Sequence, residues 1–140
     1  MTDISKKMLE EKAVDIKNAE YTVEKTVVAE YLAKNVGSGD VSVFATPMMI
    51  AMMEEAAAAA VKPFLKEGQT TVGAFIGTSH TAPTPLGMIV WATAKVTSVD
   101  GKKIEFSVSA KDEATSIGEG IHTRYIIEKE RFEQKAQSKL

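Results

Sequence analysis

The stretch from Phe44 to Lys62, FATPMMIAMMEEAAAAAVK, is apolar nearly all the way round a helix, the pattern of a helix buried on most sides. Thr46 is a favoured helix N-cap, and Pro47 suits the first helical position, where its missing N–H has no intrahelical partner to lose. The five alanines Ala56 to Ala60 combine strong helix propensity with little bulk, so a sheet or a second helix can approach the backbone closely. Pro63 stops the helix. Glu54 and Glu55 sit in the middle of this greasy segment. An ionised carboxylate is costly to bury unless it is paired, hydrogen-bonded or put to use, so at least one of the two requires a reason.

On the N-terminal side, residues 1–14 are polar and read as a frayed end. The run DIKNAEYTV, from Asp15 to Val23, reads as a strand, and the following EKTVVAEYLAKN has the spacing of a short helix with Val27, Tyr31 and Leu32 on one face. Gly37 to Asp40, GSGD, is a clear break before the brief VSVF that leads into the long helix.

Beyond Pro63 the pattern changes to strands. QTTVGAFIGTSHTA is rich in threonine and β-branched residues and closes at Pro83 and Pro85. Met88, Val90, Ala92, Ala94 and Val96 alternate with more polar neighbours, as do Ile104, Phe106, Val108 and Ala110, and the Asp100-Gly101 pair between the two runs signals a hairpin. A last strand spans about Thr115 to Glu128, with Ile117, Ile121, Tyr125 and Ile127 on one parity and Gly118, Gly120, His122 and Arg124 on the other. The charged tail 129–140 reads as a short solvated helix or loose end. Residues 15–128 thus form a single domain of the α+β class, an antiparallel sheet wrapped around one long central helix.

Composition narrows the function. The chain has 140 residues, 44% hydrophobic and 26% charged, with a formal net charge of −2 and no basic block, which argues against a nucleic-acid partner. It has no cysteine, so disulfides, thiolate metal sites and a cysteine nucleophile are excluded. The N-terminus lacks the apolar core of a secretory signal, and the long helix is too short and too acidic to span a bilayer, so a cytoplasmic protein without membrane association is expected.

Three residues stand out chemically, each with a plainer role beside it. Thr46 is explained by capping alone, yet a helix N-terminus also offers free N–H groups and a partial positive charge suited to a developing oxyanion. Glu54 reads either as a solvated edge residue or as a carboxylate set among Met48 to Met53 and the alanine run, where desolvation favours proton transfer near neutral pH. Glu55 is the surface member of the pair. His80, between Ser79 and Thr81, reads either as a hydrogen-bonding residue or as a general base. His122 and Arg124 read as surface or phosphate-facing residues, Arg124 being able to pair with a phosphate or a carboxylate. Two distant histidines without thiolates make a poor metal site, so no metal and no cofactor are expected.

The strings VGSGD followed by FATPMMIAMMEEA, then GQTTVG, SHTAPTPLGM and GEGIHTR, in this order and at these separations, resemble the hotdog-fold thioesterases related to fluoroacetyl-CoA thioesterase. The match runs from about Tyr21 to Glu128. The resemblance implies a hotdog fold, hydrolysis of an acyl-CoA thioester by Thr46, Glu54 and His80, a substrate-holding glycine at Gly73 and an arginine of the last strand at Arg124. It does not extend to fluoroacetyl specificity, because the phenylalanines of that enzyme's lid are replaced here by NVGSGD. The alternative is a non-catalytic acyl-CoA-binding protein of the same fold; a hotdog dehydratase finds no matching motif.

Thr46 and Glu54 lie eight residues apart, which a rise of 1.5 Å per residue converts to about 12 Å along the helix. One helix therefore does not bring both to one thioester, whereas two helices antiparallel about a twofold axis set Thr46 of one chain opposite Glu54 of the other. The resemblance implies the same arrangement, a homodimer or a higher oligomer built from dimers.

Overall fold

In the computed structural model, which describes residues 16–140, the chain forms β1 (Glu20–Thr26), a one-turn helix α1 (Ala33–Val36), the long helix α2 (Thr46–Val61), then β2 (Gln69–Thr78), β3 (Ile89–Asp100), β4 (Lys103–Asp112) and β5 (Ser116–Glu128), and a terminal helix α3 (Lys129–Gln137). The frayed end expected over 1–14 lies outside the described residues.

The strands make one antiparallel sheet in the order β1-β3-β4-β5-β2. Asp100 and Gly101 turn β3 into β4, with Gly101 at φ +61° as the tight turn requires. The alternation read in the sequence faces inward in both strands: Val90, Ala92, Ala94 and Val96 of β3, and Ile104, Phe106, Val108 and Ala110 of β4, are buried. Helix α2 lies against them and touches β1, β2, β3 and β4, so the sheet curls around it as expected.

Met49, Met52, Met53, Ala56, Ala57, Ala60 and Val61 are the buried face of α2, the alanines giving the close approach that their size permits. The helix is not buried all round. Pro47, Ala51 and Glu55 are exposed and Ile50, Glu54 and Ala58 half-buried, a stripe at helical spacing that a single chain leaves open.

The N-terminal expectation requires correction. The strand runs over Glu20–Thr26 rather than 15–23, and the helix expected over 24–35 is reduced to a single 3₁₀ turn (Ala29–Tyr31) and α1. Thr26 ends β1 and Val27 pairs with Met88 through its N–H at 2.9 Å. Backbone pairing to β3 therefore overrides the local helical spacing, while Val27 and Leu32 are still buried.

Candidate active site

Two groups of polar residues flank the open stripe of α2. The first is at its N-terminus. The entering backbone is fixed on both sides, Ala45 N–H donating to the Tyr31 carbonyl at 2.8 Å and Phe44 N–H to the Thr84 carbonyl at 2.8 Å. Thr84 is itself held by a buried bond from its hydroxyl to Asp112, 2.7 Å long. Thr46 is the first helical residue, and it does not act as the cap that the sequence suggested: Ala45 occupies that position and no side chain caps the helix. Its Oγ1 lies instead 2.6 Å from Nδ1 of His80.

His80 follows β2 in a segment still tied to β5, with Ser79 N–H on the Glu119 carbonyl and Thr81 N–H on the Ile117 carbonyl. These bonds to its neighbours direct the imidazole toward α2. Its Nε2 is buried and has no hydrogen-bond partner among the described residues. Burial lowers the pKa of His80 below the ordinary 6.5, which keeps the ring neutral at pH 7. Met48 and Met49 N–H both bond to the Ala45 carbonyl and Pro47 has no N–H, so among the described residues the Thr46 N–H is the first-turn donor left outside backbone pairing. An open hollow of about 300 Å³ meets this pair, with Ser38, Gly39, Val41 and Ala82 among its walls.

The second group lies about two turns along α2, some 12 Å away by the helical rise. Glu54 Oε2 is 3.7 Å from Nη1 of Arg124. Arg124 is buried in β5 and spread over β2: its Nε donates to Thr71 Oγ1 at 2.9 Å and its Nη2 to the Thr71 carbonyl at 2.9 Å. Burial draws its pKa below the ordinary value while Glu54 opposes that shift, and a guanidinium remains charged throughout. Gly73 sits beneath this pair. A Cβ there would meet Glu54 Oε2 at 2.9 Å, so a side chain at 73 would displace the carboxylate. Glu55, by contrast, reaches Lys25 at 3.5 Å on the surface, as the sequence suggested.

The structure thus joins Thr46 to His80, and Glu54 to Gly73 and Arg124, but within one chain it keeps the two groups apart. Of the two readings of His122 and Arg124, surface or phosphate-facing, the structure corrects the first, and it pairs Arg124 with a carboxylate, that of Glu54. His122 is 1% and Arg124 7% exposed, whereas Ile121 on the opposite parity is 62% exposed. Glycines on the same strand parity carried the missed signal. A Cβ at Gly118 would meet the Ser79 carbonyl and Met49, so Gly118 faces α2, and a strand glycine marks such close approach. Thr71 was not singled out at all; nothing in a threonine-rich strand distinguishes it. Among the described residues no three His, Asp or Glu are grouped to hold a metal ion, and no helix is long and apolar enough to cross a membrane.

A five-stranded antiparallel sheet curled around one long helix, with polar clusters along that helix, defines the hotdog class of α+β proteins. A hot-dog-like protein from Thermanaerovibrio acidaminovorans superposes with a TM-score of 0.79 over 88% of this chain and 91% of its own, and at 21% identity that likeness speaks for the fold alone. The family model of the fluoroacetyl-CoA-specific thioesterase matches residues 23–130, and the chain belongs to that family. It is 41% identical to the fluoroacetyl-CoA thioesterase of Streptantibioticus cattleyicolor over 97 residues, 69% of this chain and 70% of the relative. A solved structure of a fluoroacetyl-CoA thioesterase superposes with a TM-score of 0.83 at 32% identity, covering 88% of this chain and 96% of the other. The protein is accordingly a thioesterase of the hotdog fold.

Proposed function

We propose that the protein hydrolyses a small or medium acyl-CoA thioester in a site shared by two subunits, with Thr46 and His80 from one chain and Glu54, held by Arg124 over Gly73, from its partner. The observation that carries the reading is the 2.6 Å contact between Thr46 Oγ1 and the neutral His80 imidazole, the geometry of an oxygen nucleophile beside its base. His80 takes the Thr46 proton as Oγ1 adds to the thioester carbonyl, and the Thr46 N–H faces the oxygen that becomes negative. The C–S bond then breaks, and the CoA thiolate leaves with the proton held by His80. Glu54 takes a proton from water as the water oxygen adds to the acyl carbon, the bond to Thr46 Oγ1 breaks to release the free acid, and that proton returns to Oγ1. The sum is thioester plus water giving acid plus CoA.

The open stripe of α2 supports the shared site. Thr46 and Glu54 both lie on it, and antiparallel packing of two such stripes about a twofold axis places one opposite the other. Fluoroacetyl-CoA need not be the preferred substrate, because the segment 35–40 that borders the hollow is made of small and polar residues, Asn35, Gly37, Ser38 and Gly39 among them.

Two measurements test this. A panel of acyl-CoAs is assayed for free-thiol release; binding of several without release above the uncatalysed rate would replace hydrolysis by acyl-CoA binding. Thr46→Ala and Glu54→Ala proteins, each inactive, are then mixed and allowed to exchange subunits. Partial recovery is expected because each heterodimer holds one intact pair, and inactivity in verified heterodimers rules out the shared site.

A further inference from the structure

The proposed reaction leaves the buried titratable residue His122 without a role. His122 stands on β5 two residues before Arg124 and is as thoroughly enclosed as any large core side chain. Its ring stacks on Phe106 of β4, centroids 5.8 Å apart. Nδ1 lies 2.7 Å from the Phe75 carbonyl of β2, and Nε2 lies 3.3 Å from Nη1 of Arg124. A carbonyl only accepts and a guanidinium only donates, so the two contacts are satisfied together by one form of the ring: neutral, with the proton on Nδ1 and the lone pair of Nε2 toward Arg124.

The same geometry completes the guanidinium. Thr71 takes Nε and Nη2, and His122 takes one side of Nη1, the nitrogen that faces Glu54. The carbonyl that anchors His122 comes from the irregular part of β2, where the register against β5 shifts between Gly73 and Phe75. That bulge sets Gly73 under Glu54 and the Phe75 carbonyl against His122 in one step.

We infer that His122 is a positioning residue for thioester hydrolysis: as a neutral Nδ1–H imidazole it holds Nη1 of Arg124 toward Glu54 and so fixes the carboxylate that activates water. This rests on the role proposed for Glu54. The charged groups facing the ring are Arg124 from its own strand and Glu54 from α2; β2 offers the Phe75 carbonyl and β4 the uncharged Phe106 ring. Burial, more than the neighbouring Arg124, lowers the pKa of His122, against the opposing pulls of the Phe75 carbonyl and Glu54, so the neutral form persists below the ordinary 6.5. A proton on Nε2 would meet the Nη1–H groups head-on.

Two near-isosteric variants separate the two bonds. In His122→Asn the side-chain amide retains a donor at the Nδ1 place for the Phe75 carbonyl but offers nothing to Arg124; in His122→Gln the amide oxygen reaches the Nε2 place and accepts from Arg124. For His122→Asn the expected result is a fall in kcat of about tenfold to a hundredfold with KM little changed, the scale of a displaced reacting group, and His122→Gln should recover most of it. Side-chain ¹⁵N NMR of the intact protein gives a readout that does not depend on turnover: the wild-type imidazole should show the Nδ1–H neutral form at pH 7, and the Nη1–H group of Arg124, the one that faces His122, should lose its protection from exchange in His122→Asn and keep it in His122→Gln. A protonated or Nε2–H ring, wild-type kcat in His122→Asn, or undiminished Arg124 protection in that variant would each overturn the assignment. If the wild-type protein releases no CoA from any thioester, the hydrolytic reading fails, whereas the imidazole form and the Arg124 exchange still decide whether His122 holds the guanidinium.

Discussion

The two polar groups on α2 are built in opposite ways. Around Arg124 all three guanidinium nitrogens are engaged, β2 and β5 both contribute, and the hydrogen-bond partners Thr71 and His122 are buried. Among the described residues, His80 makes one side-chain hydrogen bond, to Thr46, and has a buried ring nitrogen with no partner. A saturated network holds its members in one geometry, whereas an unsatisfied group retains its capacity for an incoming molecule. The contrast teaches that the Arg124 group is built as scaffold, while the His80 group keeps the free capacity that the proposed reaction requires.

The sharpest way to break this comparison is to remove the groups proposed to react. His80→Ala and Glu54→Ala should each lower turnover by about a hundredfold or more, the usual scale for a lost acid–base group, with the unfolding midpoint little moved. Thr46→Ala should lose activity too, yet change stability by less than about 0.5 kcal/mol, because it caps nothing and sits exposed at the rim. Equal loss of activity and fold in all three, read by kinetics beside thermal unfolding, would make them structural residues.

A smaller effect is expected from the scaffold side. Arg124→Met leaves the Thr71 hydroxyl, the Thr71 carbonyl and His122 Nε2 buried without their partner, and denaturant titration should show a loss of roughly 3 kcal/mol. Stability equal to the wild type would mean that the network is not the rigid half of the pair.

The smallest effect concerns pH. His80 and His122 both have pKa values lowered by burial, so the folded state binds fewer protons than the unfolded chain just below pH 6.5. Stability and kcat should therefore be full above pH 6.5 and fall as pH drops through the lowered folded values. An acid limb of the kcat profile at or above 6.5 would show that His80 is not held neutral by its surroundings.

Much of the fold was legible because local chemistry and tertiary position agree. Pro47 and Pro63 bound α2, Asp100-Gly101 turns the hairpin, and in β3 and β4 the apolar parity is the buried one. The last strand breaks that rule. Its inward face carries His122 and Arg124, affordable only because Thr71, the Phe75 carbonyl and Glu54 satisfy them, and none of those partners is near in sequence. Periodicity counts apolar residues and cannot see a polar face paid by distant partners. The β1 region failed for a related reason: an edge strand with mostly exposed side chains has weak alternation, and its pairing with β3 comes from about seventy residues downstream. Thr46 was read as a cap from its place before Pro47, whereas Ala45 takes that position, and the bond of Thr46 to His80 depends on where the segment after β2 returns.

The position of β2 at the far edge of the sheet has a consequence for how the protein is made. It follows α2 in sequence, yet its strand partner is β5, so that Gln69 waits for Glu128, 59 residues later. At about 5–20 residues per second, translation leaves β2 without its neighbour for roughly 3 to 12 s after it is synthesised. During that interval Val72, Phe75 and Ile76 have no strand to join, and a nascent chain with a bare, partly apolar strand is a substrate for chaperones and for other copies of itself. Both halves of the site hang from β2, through Thr71 and Gly73 on one side and His80 on the other. Turnover should consequently be among the last properties to appear as the protein leaves the ribosome and refolds.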